Sequence, residues 1–450
     1  MIVVADPTIA QEISLMKDTI TQVAQAMQKV LTDDADRLAR EVKFVRRERK
    51  LRGSSFVQTL VFGSMSSLMT SYTDLAQSAA MVGIDISAQG LEQRFTKEAA
   101  QLLERVLVCA VEQVVVSDPA AIPILERFQG MYIRDSSVVE LPAELIETWP
   151  SVGNSAGPTA ALKLQVDLDY KSGQLHGPVI QSGRTHDQQS PYQRRTLPVG
   201  ALHIGDLGYF SLRKLAADSR DGVFWLSRLK AGTAVYTLEG DRLDLASWLA
   251  EQNEAQLDRP IVLGARQRLY CRLLAIRVPA SVAAQRRRRL REYARKKQVT
   301  PRAETLALAE WTLVVLNIPV DLLSLQEALV LMRVRWQVEL LFKLWKTYAR
   351  IDEWRSQNPW RILCELYAKL IAVLILHWVS LTGLWKLPNR SLFKAAEAVR
   401  KYTVALALHL SDQDLLPWVL ERLRMCLMVT CRMNRRKKHP NTYQLLMGLC

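Results

Sequence analysis

Residues 324–350 read SLQEALVLMRVRWQVELLFKLWKTYAR, and their apolar spacing predicts one long helix. Ser324 with Glu327 three residues on forms a capping box that fixes its start. At about 100° per residue, Met332, Arg335, Glu339 and Lys346 fall within a fan of roughly 60°. A second stripe, Leu331, Val334, Val338, Leu341 and Trp345, lies beside it and predicts packing against a core. A carboxylate set between two cations next to an apolar face can hold a divalent metal while Arg and Lys grip phosphate oxygens. The plain alternative is a solvated face with an ordinary i,i+4 ion pair.

Upstream of this helix the apolar period changes twice. From Thr8 to about Val116 the pattern is helical, in Ile9–Leu31 and again in Leu102–Val115, with no proline between Pro7 and Pro119. Thr73–Phe95, with a turn at Gly83 and a second helix opened by Ser87, fits a helix-turn-helix or a simple helical hairpin. From Met131 the sequence alternates. Met131–Glu140 is a strand, and Leu162–Asp169 and Leu175–Gln181 flank a Lys171-Ser172-Gly173 turn as a hairpin. Ala201–Ile204 and Val223–Leu229 are further strands, separated by a helix around Ser211–Asp218, an order that predicts a mixed α/β sheet. Residues 231–320 read as β-rich: Ala234–Leu238, Ile261–Leu263, Leu269–Val278 and Thr312–Asn317 are strand-like. Helices follow the long one, until Pro440-Asn441-Thr442-Tyr443 interrupts them.

The chain has 450 residues, of which 49% are apolar, enough for a large buried core. Its net charge of +15 is clustered. Seven cations lie between Arg40 and Arg52, eight between Arg286 and Lys297, and five between Arg432 and Lys438. Such an excess points to nucleic acid, since neutralising phosphates releases counterions and drives affinity. Solvated charged surfaces are the alternative for each run. The six cysteines form no CxxC pair and have no histidine nearby, which argues against zinc or a disulfide framework and fits a reducing compartment. The N-terminal stretch beginning Met1-Ile2-Val3-Val4-Ala5-Asp6 lacks a charged n-region and a long apolar h-region, so no signal peptide is expected. The apolar run Leu366–Leu381 carries Lys369 and His377, so it reads as a buried helix and not a membrane span. The expectation is a soluble, cytoplasmic protein.

Two further carboxylates stand where strands are expected to end. Asp135 follows Tyr132-Ile133-Arg134, and Asp206 follows the strand Ala201–Ile204 and Gly205. Each is a plausible metal ligand or a simple turn residue, and Gly205 beside Asp206 leaves room for approach. Asp135, Asp206 and Glu339 are separated by 71 and 133 residues, with the β-rich block in the second gap.

In this arrangement the chain resembles a DDE transposase of the insertion-sequence-4 group. That group carries Tyr-x2-Arg-x3-Glu-x6-Lys on the helix bearing its Glu; here the pattern is Met332-x2-Arg335-x3-Glu339-x6-Lys346, with Met332 in place of the tyrosine. The blocks YIRDSSVVELP (132–142), HIGDLGYFSL (203–212), LNIP (316–319) and RWQVELLFKLWK (335–346) also match in character and order, over about Phe128 to Trp354.

The resemblance implies an α/β ribonuclease-H-like core interrupted by a β-rich insertion, with helical N-terminal and C-terminal regions. The corresponding segments are a helical DNA-binding domain at 1–125, core at 126–230, insertion at 231–320, core again at 321–382, and a helical region with a basic tail at 383–450. It implies that Asp135, Asp206 and Glu339 bind two Mg²⁺ ions, which Mn²⁺ can replace, and so catalyse DNA cleavage and strand transfer without a covalent protein nucleophile. Arg335 and Lys346 would hold phosphates, Met332 lacking the hydroxyl to do so, and Trp311 would stack an unpaired base. Arg286, Arg287, Arg288 and Arg289 would track DNA along the insertion. Terminal inverted repeats and target DNA are the implied partners, with a homodimer on paired ends. A structure-selective nuclease and an inactive DNA-binding relative are the competing readings.

Overall fold

The computed structural model describes residues 18–47, 51–67, 71–153 and 157–449. The start of the expected helix at Ile9 and residues 48–50 of the first basic run lie outside them. The chain divides into two compact units, one comprising Met1–Ala121, Ser136–Thr185 and Glu339–His439, the other Ile122–Asp135, His186–Val338 and Pro440–Cys450.

The first unit is mainly helical. It begins with α1 (Thr19–Gln28), a π-helical turn (Lys29–Asp34) and α2 (Ala35–Glu41). Then come α3 (Gly53–Ser66), α4 (Tyr72–Met81), α5 (Ala88–Glu92) and α6 (Lys97–Val111). Side-chain caps set three of these starts: Ser71 in a capping box with Asp74, Ser87 on Gly90, and Thr96 on Ala99. The turn at Gly83 is present, but α5 is five residues long, so 73–95 is a short helical hairpin. At the centre runs the helix Pro359–Leu381, started by Asn358 as cap and Pro359 in the first turn, and buried at every residue from Arg361 on. Helices α3 and α6 pack on it. It is the one helix among the described residues that is long and apolar enough to cross a membrane, and protein covers all of it. Its interior charges are paired: Arg361 donates to Glu365 at 2.6 Å and stacks on Tyr72 at 3.8 Å. Lys369 donates to the carbonyls of Arg350 and Glu353. The hairpin of β2 (Ala160–Asp169) and β3 (Leu175–Ser182) also belongs to this unit, β2 lying next to β1 (Met131–Leu141). At its turn, Gly173 has φ +78 and faces Leu381 and Trp385.

The second unit is built on a sheet in the order β1-β4-β5-β10-β9-β8-β6-β7. The new strands are β4 (Leu202–Gly205), β5 (Phe224–Arg228), β6 (Val235–Tyr236), β7 (Arg242–Leu243), β8 (Gln256–Leu263), β9 (Leu269–Arg277) and β10 (Trp311–Leu316). β1, β4 and β5 are parallel; β10 runs antiparallel to both β5 and β9. Asn317, just past β10, fastens this seam: its carbonyl accepts from the Trp225 backbone N–H at 2.7 Å, and its amide donates to Ser219 Oγ and the Val223 carbonyl. Helices α7 (Leu212–Arg220), α8 (Leu245–Ala250), α9 (Ala280–Lys296) and α10 (Ala303–Ala307) punctuate the strands, so the region read as β-rich is mixed. Trp225, Leu263, Leu273 and Val315 centre its core.

Two expectations need correction. The stretch 324–350 is two helices, α11 (Leu325–Val334) and α12 (Trp336–Tyr348), meeting at Arg335, where φ −48 and ψ −35 keep the backbone helical while the regular helical bonding lapses. Ser324 and Glu327 do form the capping box, and Arg127 adds an ion pair to Glu327 at 2.8 Å. Asp135 is not at a strand end, because β1 continues to Leu141; what ends there is its pairing with β4. Three helices complete the chain: α13 is Pro359–Leu381 described above, followed by α14 (Leu392–Leu408) and α15 (Leu415–Thr430) in the helical unit. Finally α16 (Thr442–Met447) starts with a capping box on Asn441, so the Pro440 segment opens a helix as well as stopping one.

Candidate active site

The register of two parallel strands puts the aspartates together. The β1–β4 ladder pairs Met131 with Leu202 and closes at Arg134 with Gly205. Asp135 and Asp206 are therefore the next residue on each of two adjacent strands, which lie about 4.8 Å apart. Asp206 turns the chain into the one-turn helix Leu207–Tyr209. Arg335 comes in from the α11–α12 junction. Its Nη1 lies 3.6 Å from Asp135 Oδ2 and 3.5 Å from Asp206 Oδ1. The arginine side chain is 8% exposed, Asp135 15% and Asp206 46%, so the pocket opens on the Asp206 side. The guanidinium also stands 5.4 Å from the Trp336 ring centre.

Residues that the motif reading passed over hold this corner in place. Arg134, fully buried in β1, donates to Gln193 Oε1 at 3.4 Å and lies over the Tyr192 ring. Gln193 and Gln188 donate in turn to the carbonyls of Tyr209 and Phe210, which follow Asp206. Behind β4, His203 Nδ1 lies 3.4 Å from Asp218 Oδ2, and Lys214 Nζ is 2.7 Å from Asp218 Oδ1. Burial pushes the Asp218 carboxyl up, but His203 and Lys214 outweigh it and leave its pKa below the ordinary value. Arg134 carries one signal in the sequence, a cation inside an alternating apolar strand; His203 and Asp218 carry none.

The other expected residues are distributed as follows. Glu339 lies in the first turn of α12, within the helical unit. Lys346, two turns further on, donates to the Val138 carbonyl at 2.9 Å and so ties α12 to β1 in that unit. Met332 is half-buried on α11. Trp311 is 5% exposed in the core of the sheet unit, with Arg277 stacked on its ring at 4.6 Å. The arginine run divides by function along α9. Arg286 donates to the Trp311 carbonyl and Thr312 Oγ1, and Arg287 to the Leu306 carbonyl and Glu310. Burial, with Arg228 nearby, lowers the Arg286 pKa. Arg288 and Arg289 are exposed, Arg288 near Glu292 at 3.6 Å. Beside them opens a cleft of about 1190 Å³ with an apolar floor that includes Leu245 and Leu308, rimmed by Arg228, Lys230, Arg242, Arg289 and Arg302.

Among the described residues, no three His, Cys, Asp or Glu side chains are grouped to hold a metal ion. The aspartate pair nevertheless suits a hard divalent cation, because two carboxylates aim at one point and a cationic nitrogen stands there.

Residues 128–375 match the family described as "Transposase DDE domain". The chain is 28% identical over 382 residues to the transposase for insertion sequence element IS231F of Bacillus thuringiensis subsp. israelensis, covering 80% of each chain. It is 23% identical over 377 residues to the transposase for IS1151 of Clostridium perfringens, covering 78% of each. Among solved structures, the cryo-EM structure of the piggyBac transposase synaptic complex with hairpin DNA overlaps 95% of this chain and 88% of its own, at 8% identity and a TM-score of 0.46.

Proposed function

The chain belongs to the DDE-domain transposase family, whose members act on DNA with divalent metal ions, and from that premise we propose how its residues divide the work. It binds the terminal inverted repeats of an insertion sequence, cuts there, and joins the ends to target DNA. Asp135, Asp206 and Glu339 are the catalytic carboxylates. Two Mg²⁺ ions, or Mn²⁺ in their place, would supply Lewis-acid charge to the attacking and leaving oxygens of an in-line displacement. Arg335 offers phosphate a two-pronged donor and Lys346 a point charge. Arg288, Arg289 and the basic cleft beside them carry the DNA backbone along the insertion. Arg286 and Arg287, tied to β10 and its approach, keep α9 seated for that purpose. A base-stacking Trp311 requires Arg277 to leave its ring.

The observation that carries this reading is the β1–β4 register, which sets Asp135 beside Asp206 with both carboxylates on one cation. The ribonuclease-H-like assignment draws on the strand order β3-β2-β1 in one unit and β1-β4-β5 in the other, with β1, β4 and β5 parallel. The helical segment 1–125 is read as the DNA-binding part, 231–320 as the insertion, and the active form as a homodimer on paired ends in the cell's DNA compartment.

The test uses purified protein, Mg²⁺ and labelled DNA carrying the element's ends. Glu339→Gln is expected to keep DNA binding while cleavage and strand transfer fall by more than about a hundredfold, since a ligand oxygen becomes an amide. Near-normal cutting by that variant removes Glu339 from the site. Cutting without preference for the ends favours a structure-selective nuclease.

A further inference from the structure

The aspartate pair already holds a cation, and it is part of the chain. Arg335 presents a planar, cationic guanidinium. It is almost wholly enclosed, and its Nη1 sits 3.6 Å and 3.5 Å from the two carboxylates that the reading above makes metal ligands. At these separations the two contacts are ion pairs, longer than the 2.7–2.9 Å of a charge-assisted hydrogen bond. The residue also occupies the one position where the ladder between α11 and α12 lapses, and Asp206 remains half-exposed beside it. The second cation of the motif is also engaged within the chain, Lys346 donating a hydrogen bond to the Val138 carbonyl at 2.9 Å. Both cations of the motif thus have partners within the chain.

We propose that Arg335 is a resident counter-cation in the seat between Asp135 and Asp206, and that a DNA phosphate, by drawing its guanidinium away, opens that seat to the divalent metal. The inference rests on the metal-ligand reading of the two aspartates. Its physical basis is competition. A guanidinium beside two carboxylates leaves the three groups one net negative charge, which weakens their attraction for a divalent ion. A phosphate offers the same guanidinium a bidentate, charge-assisted pairing. Metal loading and DNA binding are then positively coupled, and the coupling is reciprocal. Metal is excluded until DNA arrives, which keeps a cutting enzyme idle off its substrate.

The test measures Mn²⁺ binding by the full chain in metal-stripped buffer, from the electron paramagnetic resonance signal of free Mn²⁺. Without DNA, Arg335→Gln is expected to bind Mn²⁺ about tenfold tighter than wild type. Arg335→Met, which keeps the aliphatic stem, gives the same shift and serves if the glutamine variant folds poorly. In parallel, the affinity for a short DNA duplex, read by fluorescence anisotropy, rises about tenfold on adding Mn²⁺ to wild type and changes little in either variant. If neither variant binds Mn²⁺ more tightly while Asp135→Asn and Asp206→Asn lose it, the counter-cation idea is wrong and the metal reading stands. If the two asparagine variants bind Mn²⁺ as wild type does, the aspartates are not the ligands and both fall.

Discussion

Asp206 shows what a single position can draw from its neighbours. Gln188 and Gln193 fix the turn after it by donating to the carbonyls of Phe210 and Tyr209. Beneath the same strand, Asp218 is held ionised against burial by His203 and Lys214. A carboxyl whose folded pKa lies below its unfolded value stabilises the fold above the ordinary carboxylate range, near pH 4, and loses that contribution as pH falls through the folded value. Wild type should therefore melt above Asp218→Asn at about pH 6, with the gap narrowing as pH falls below about 4. A gap that stays constant across a calorimetric pH series would mean that charge plays no part there. Asp135, Asp206 and Glu339 were legible as candidates because each sits in a recognisable block. Arg134, Gln193, His203 and Asp218 were not, since nothing in their spacing marks a buried network closed by the fold.

At the level of elements, β10 is the hinge of the sheet unit's design. It lies between β5 and β9, so the inserted strands extend the parallel β1-β4-β5 group instead of forming a sheet of their own. Asn317 secures the joint with three hydrogen bonds to Trp225, Val223 and Ser219. Asn317→Ala strands those groups in a buried place and is expected to lower stability by about 1–3 kcal/mol in urea unfolding. A loss well under that range would mean that water replaces the amide freely. The strands were expected from alternation, and most appear within a residue or two of the expected ends. The break at Arg335 was not foreseen. Apolar period describes a face and is blind to a side chain whose partners lie on strands far away in sequence.

For the molecule as a whole, the excess of positive charge is the property that meets DNA, but its cations are unequal. Arg286 and Arg287 are bound into the insertion, whereas Arg288 and Arg289 face solvent beside the cleft. Replacing Arg288 and Arg289 together by alanine should reduce the slope of log affinity against log salt by about 2, at roughly 0.9 per phosphate contact. Arg286→Ala should instead lower the melting temperature with little change in that slope. Anisotropy titrations from about 50 to 200 mM salt distinguish these outcomes, and equal slopes for all variants would remove α9 from the DNA path. The chain's order of residues was enough to give the family, most of the strands and the acidic candidates, because periodicity and motif spacing are local and survive in one dimension. Which cation each carboxylate faces, and which arginines stay free for DNA, depended on strand register and helix packing. Those join residues such as Asp135, Asp206 and Arg335 that stand 71 and 129 positions apart along the chain, and no local pattern carries that distance.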